Sequence, residues 1–190
     1  MKRITVFCGS SKGYDKEFSN KAKLLGQAFI EHEIDLVYGG TDVGLMGVIA
    51  NTVLEGGREV IGVIPDFIKA FKLTHENLTE LIVVKSMHER KAKMAELSDG
   101  FIALSGGFGT LEELFEVLTM SQLSLHQKPV ALLNVNGFYD DLLSMMRTMV
   151  EKGFLQQVNL DMLIISDNIP DLLKKMNNYE IPDTPKWEIN

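Results

Sequence analysis

The sequence predicts an α/β protein: a Rossmann-like, doubly wound, mainly parallel sheet of about seven strands with helices on both faces. Three observations carry this expectation. Short apolar runs alternate with helix-length amphipathic segments along the chain. The runs are continuously apolar, as strands are when helices cover both faces of their sheet. Glycine-bearing turns follow several of the runs and punctuate the βα units. No Ser/Gly linker, internal repeat or low-complexity tract divides the chain, so a single domain spanning 1–190 is expected.

The elements follow in order. Residues 3–8 (RITVFC) are β-branched and aromatic and stop at Gly9-Ser10-Ser11, which reads as a strand and its turn. Residues 16–31 place Phe18, Ala22, Leu25 and Phe29 near the helical period. A second strand covers 34–38 and ends at Gly39-Gly40; a helix over 44–55 ends at Gly56-Gly57. The third strand, 59–64, is closed by Pro65, and 66–77 has mixed character and is left unassigned. A fourth strand at 81–84 precedes a helix at 87–97. A fifth, at 100–104, runs into Ser105-Gly106-Gly107-Phe108-Gly109 and a strong helix over 111–125. A strand at 130–135, a helix at 139–152, a strand at 163–165 and a helix at 171–177 complete the pattern. The tail from Asn178, with Pro182 and Pro185, is expected to fray.

Composition narrows the function. Lys and Arg number 19 against 26 Asp and Glu, a formal charge of −7, which argues against sequence-independent nucleic-acid binding. No apolar run reaches the roughly 20 residues of a membrane span. The lone cysteine, Cys8, has no partner for an internal disulfide, and no signal-peptide pattern opens the chain, so the cytoplasm is the expected compartment.

Ligands of open parallel sheets bind outside the carboxyl ends of the strands. Three glycine loops fall there: Gly9-Ser10-Ser11, Gly39-Gly40-Thr41 and Gly106-Gly107-Phe108-Gly109-Thr110. One such loop is ordinary strand punctuation, but three at one edge favour a nucleotide or sugar-phosphate site, because the following helices aim free N–H groups at an anion. The dinucleotide pattern G-x-G-x-x-G and the phosphate-loop pattern G-x-x-x-x-G-K-[ST] are both absent. The four histidines are scattered, and no cluster has metal-ligand spacing, so no metal site is expected.

Two motifs carry charge to the same edge. Thr110-Leu111-Glu112-Glu113 fits a capping box, with Thr110 as N-cap and Glu113 closing it. The same position puts Glu113 at the mouth of the glycine loop, where a carboxylate would meet a ribose or a water, and spacing alone does not separate the two roles. Arg90 and Lys91 open the helix at 87–97, where cations oppose the helix dipole. They imply an anionic ligand, a partnered carboxylate or a solvated basic patch.

Over nearly its whole length the sequence resembles the Lonely Guy family, the cytokinin-riboside 5′-monophosphate phosphoribohydrolases once labelled lysine decarboxylases. The family motif P-G-G-x-G-T-x-x-E is matched by Ser105 to Glu113, and M-H-x-R-K-A-x-M by Met87-His88-Glu89-Arg90-Lys91-Ala92-Lys93-Met94. Val37-Tyr38-Gly39-Gly40, Gly44-Leu45-Met46-Gly47, Gly62-Val63-Ile64-Pro65 and the stretch from Lys128 to Val135 are further matches in the same order.

The resemblance implies hydrolysis of the N-glycosidic bond of a nucleoside 5′-monophosphate, without a cofactor, in a homodimer whose active site lies near the interface. It implies Glu113 and Arg90 as the catalytic pair. It also implies substrate contacts from Gly107, Phe108, Gly109, Thr110, Leu111 and Glu112, and from Lys91, Met87 and Thr119. The loop reading adds Gly9, Ser10, Gly39 and Gly40. Three positions depart from the family: Ser105 replaces the motif proline, and Met120 stands where many members have tryptophan. Lys72 falls where many have a substrate-contacting glutamate, with Glu76 the alternative for that role. A non-catalytic nucleotide sensor or carrier of the same fold is the competing reading. A decarboxylase would require a Schiff-base lysine, which no sequence feature identifies.

Overall fold

A computed structural model describes residues 1–71 and 73–182. Lys72 and Pro185, named above, lie outside the described residues. Among the described residues seven strands form one sheet: β1 (Arg3–Phe7), β2 (Asp35–Tyr38), β3 (Val60–Pro65), β4 (Glu80–Val84), β5 (Gly100–Ala103), β6 (Val130–Leu133) and β7 (Leu163–Ser166). Their spatial order is β4-β3-β2-β1-β5-β6-β7, and every adjacent pair is parallel. The chain winds outward from β1 to β4, then crosses back to place β5 on the other side of β1. The loops after β1 and β5 therefore part at a topological switch point, where such sheets bind ligands.

The apolar runs supply both faces of the sheet. Ile4, Val6, Leu36 and Tyr38 pack with α1 (Lys16–Glu31), α2 (Gly44–Glu55) and α8 (Ile169–Asn177). Phe7, Val37, Phe101 and Ala103 pack with α4 (Met87–Leu97), α5 (Phe108–Gln122) and α6 (Asp140–Glu151). Successive strand residues point to opposite faces, and each face meets a buried helix layer, so both sets of positions are apolar.

Helix starts show the local chemistry. Asp15 caps α1 by accepting from the Glu17 N–H. Ser86 caps α4 by accepting from the Glu89 N–H at 3.1 Å, and the Glu89 carboxylate accepts from the Lys85 N–H at 2.8 Å. That is a reciprocal arrangement of the capping-box kind. Asn168 caps α8, with Pro170 in its first turn.

Several boundaries differ from the sequence expectation. The third strand runs through Pro65, and the unassigned stretch contains the short helix α3 (Asp66–Lys69). The sixth strand stops at Leu133, because a tight turn over Val135–Gly137 places Asn136 at φ +50°. A further short helix, α7 (Gln157–Leu160), precedes β7. The largest correction concerns α5. It begins at Phe108 rather than 111, with Gly107 as an extended N-cap that makes no side-chain hydrogen bond. Thr110 is therefore inside the first turn and buried, Glu113 lies a turn deeper, and no capping box exists there. Among the described residues no helix is long and apolar enough to cross a membrane.

Candidate functional site

At the switch point the ends of β1 and β5 are stitched together. The Gly9 N–H donates to the Ser105 carbonyl at 3.0 Å, and the Leu45 N–H at the head of α2 donates to the Gly9 carbonyl at 3.0 Å. Gly44 makes this approach possible: its φ is +60°, and a Cβ there would collide with the Ser10 backbone. Between the loops lies a cavity of about 290 Å³ bordered by Gly9, Ser10, Ser11, Leu45, Ser105, Gly106, Gly107 and Phe138. The uncapped start of α5 is on its rim. The N–H groups of Phe108, Gly109 and Thr110 have no partner within the helix, because the first helical bond runs from the Leu111 N–H to the Gly107 carbonyl. A row of free amides at the positive end of a 15-residue helix suits an anion.

The first and third glycine loops line this cavity, and the second does something else. Gly39 lies against Arg90: a Cβ on Gly39 would collide with the Arg90 Nη2. The guanidinium is almost fully buried. Its Nε donates to the Val63 carbonyl at 3.0 Å, Nη1 is 3.4 Å from the Glu113 Oε1, and the Met87 sulfur is 3.9 Å from Nη1. Arg90 thus rests on the ends of β2 and β3 and faces a carboxylate of α5.

Glu113 is 8% exposed, and its titration is shifted by that burial. Desolvation raises its pKa from 4.5 to about 7. The Arg90 guanidinium opposes the shift, Glu112 and Glu116 add to it, and Lys91 opposes it. Burial wins over the single facing cation because a carboxylate removed from water loses more hydration than one partner at 3.4 Å restores. Cys8, at the end of β1, belongs to the same neighbourhood. Burial pushes its thiol up, Glu113 pushes it further, and Arg90 opposes.

Lys91 takes a different place from its neighbour. Its ammonium is drawn between Glu112 and Glu116 of α5, 2.7 Å from the latter. Desolvation acts to lower its pKa, and the bonds to these two carboxylates outweigh it, so its pKa is raised. Both cations at the head of α4 thus have carboxylate partners, one of the readings left open by the sequence. Thr119 is exposed on the α5 face that carries Glu112 and Glu116, and its hydroxyl donates to the Phe115 carbonyl at 2.7 Å. It is away from the cavity of this single chain. Leu111 is half-buried, while Glu112 and Phe108 are exposed.

Sequence reasoning missed three participants. The Ser86 cap that sets the head of α4 had a signal, since Ser86-Met87-His88-Glu89 fits S-x-x-E. Glu116 had a weaker one, its spacing of four from Glu112. The Val63 carbonyl had none, because main-chain acceptors carry no residue signature.

Comparisons with known proteins show the family. A family model described as "Possible lysine decarboxylase" matches residues 46–176. The cytokinin riboside 5'-monophosphate phosphoribohydrolase LOG1 of Arabidopsis thaliana is 46% identical, covering 99% of this chain and 91% of its own. LOG4 of the same plant is 49% identical, covering 93% and 82%. The LOG protein of Oryza sativa subsp. japonica is 46% identical, covering 99% and 76%. Among solved structures, a molybdenum cofactor binding protein from Rippkaea orientalis superposes with a TM-score of 0.70 at 23% identity, covering 94% and 97%. The molybdenum cofactor carrier protein of Chlamydomonas reinhardtii superposes with a TM-score of 0.71 at 18% identity, covering 94% and 99%, and such likenesses bear on the fold alone. With close to half of all positions identical over nearly the whole chain, the protein belongs to the cytokinin riboside 5'-monophosphate phosphoribohydrolase family.

Proposed function

We propose that the protein hydrolyses the N-glycosidic bond of adenosine 5′-monophosphate or its N6-modified forms, releasing free base and ribose 5-phosphate. The observation that carries this is the buried Arg90–Glu113 pair beside the uncapped head of α5. Membership of a family whose relatives bear the phosphoribohydrolase name supports it.

The 5′-phosphate is held by the free amides of Phe108, Gly109 and Thr110, with Gly107, Gly9 and Ser10 shaping the cavity. Anchoring the phosphate orients the sugar. Cleavage of a ribosyl C–N bond builds positive charge on the ring, as in glycoside hydrolysis, and the Glu113 carboxylate stabilises that charge. A water oxygen bonds to C1′ while the C1′–N pair leaves with the base. Glu113 takes the proton from the water and returns it to the departing ring. A carboxyl titrating at about 7 can accept and release a proton near neutral pH. Arg90 stays charged and works electrostatically, on the leaving group and on Glu113. Met87, Gly39 and Gly40 shape the Arg90 side of the site, and Lys91, Glu112, Leu111 and Thr119 serve substrate binding from α4 and α5.

The proposed assembly is a homodimer that brings the exposed Glu112–Thr119 face of α5 near the site, and the proposed compartment is the cytoplasm. The deciding experiment incubates the protein with nucleoside mono-, di- and triphosphates and nucleosides and follows free base by chromatography. Base release from monophosphates alone is expected. Ligand-induced stabilisation without base release selects the carrier reading instead.

A further inference from the structure

His75 sits in the segment between α3 and β4, is 4% exposed, and both its ring nitrogens are occupied. The Asn77 N–H donates to its Nδ1 at 3.2 Å, so Nδ1 is the bare nitrogen. Its Nε2–H then donates to the Asn51 Oδ1 at 3.0 Å, and the Asn51 amide donates to the Asp42 Oδ1 at 3.1 Å. The backbone adds to the same junction. The His75 N–H donates to the Gly40 carbonyl at 3.1 Å, the Asp42 N–H donates to the Leu73 carbonyl at 3.0 Å, and Thr41 bridges Thr74. The buried imidazole thus fixes Asn51 of α2, whose amide holds Asp42, while main-chain bonds from 73–75 hold the rest of the 39–42 turn. That turn is part of the bed on which the Arg90 guanidinium lies, because Gly39 touches Nη2 directly.

We propose that His75 is a positioning residue for Arg90: by clamping the 39–42 turn it holds the guanidinium against Glu113. The inference rests on the phosphoribohydrolase reading above. A side chain serving only the fold would leave the titration of Glu113 where it is. One acting through Arg90 changes that titration, because the guanidinium lowers the Glu113 pKa against the opposing push of Glu112 and Glu116. Lys91, which also lowers it, is held on α5 and is independent of His75.

The test measures kcat, KM and the pH profile of base release from adenosine 5′-monophosphate for His75→Ala and His75→Gln, and for His75→Ala in an Arg90→Lys background. The phosphate anchor is untouched, so KM stays near the parent value while kcat for His75→Ala falls about tenfold or more. Its acidic arm, which reports ionisation of Glu113, moves to higher pH. His75→Gln keeps a donor toward Asn51 and recovers part of the rate. In the Arg90→Lys background the histidine change adds little further loss, the signature of two residues acting as one unit. If His75→Ala does not fold, Asn51→Ala, which removes the Nε2–H acceptor, gives the same three readouts. An unmoved acidic arm, or the full loss repeated in the Arg90→Lys background, overturns the proposal and leaves the activity reading intact. No base release by the unsubstituted protein overturns both.

Discussion

At the residue scale the proposed chemistry concentrates on Glu113. Replacing it with Gln keeps the shape and removes the charge, and kcat is expected to fall about 10²–10³-fold, measured as base release from adenosine 5′-monophosphate. The same change has an opposite effect on stability. The folded carboxyl holds its proton more tightly than the unfolded one, with a pKa raised from 4.5 to about 7, so the folded state binds more protons across that window. Stability contributed by this group is present below pH 4.5 and is lost as pH rises through 7. The cost at alkaline pH is roughly 3 kcal/mol at most. Glu113→Gln, which resembles the protonated form, should match the parent in thermal melts at pH 4.5 and exceed it at pH 8. A melt in which the variant is less stable at pH 8 would refute the burial account. The stability given up is the ordinary trade expected if this carboxylate, held away from water, does the proposed chemistry.

At the scale of elements, α4 and α5 act as a pair. α4 is fixed at its head by Ser86 and Glu89, and Lys91 ties it to Glu112 and Glu116 of α5. Ser86→Ala removes the cap and should cost about 1 kcal/mol, lowering the melting temperature by about 2–4 °C for a domain of this size. Lys91→Met deletes a cation that lowers the Glu113 pKa and leaves Glu112 and Glu116 to raise it. Its pH–rate profile should therefore shift to higher pH, whereas a profile coincident with the parent would show that Lys91 does not sense Glu113. The head of α5 has no side-chain cap, and its capping partner is the proposed phosphate. A helix start that the sequence pattern T-x-x-E appoints to Thr110 is moved to Gly107, because the extended backbone of the glycine leaves Phe108 to Thr110 free to enter the helix.

For the whole molecule, a ligand that grips the switch point stabilises the entire fold, because β1, β5, α2 and α5 all meet there. Adenosine 5′-monophosphate at about 100 times its dissociation constant should add about 2.7 kcal/mol to the Glu113→Gln variant, which is expected to turn it over slowly, a melting shift of about 5–10 °C. Adenosine, without the phosphate, should produce much less, and equal shifts would remove the phosphate anchor from the mechanism. The parallel sheet, its helices and the two catalytic candidates were determined by the sequence itself. Apolar runs buried on both faces carry a local signature, and Arg90 and Glu113 fall in recognisable motifs. The tertiary structure alone decided what those groups experience. Arg90 and Glu113 are 23 residues apart in sequence and meet only because two helices pack on one face of the sheet. The clamp joining His75, Asn51 and Asp42, and the Val63 carbonyl beneath Arg90, likewise join positions far apart along the chain. Hydrophobic periodicity is local and can be read from the chain. Desolvation and charge pairing depend on which distant side chains exclude water from one another, and only the folded packing fixes that.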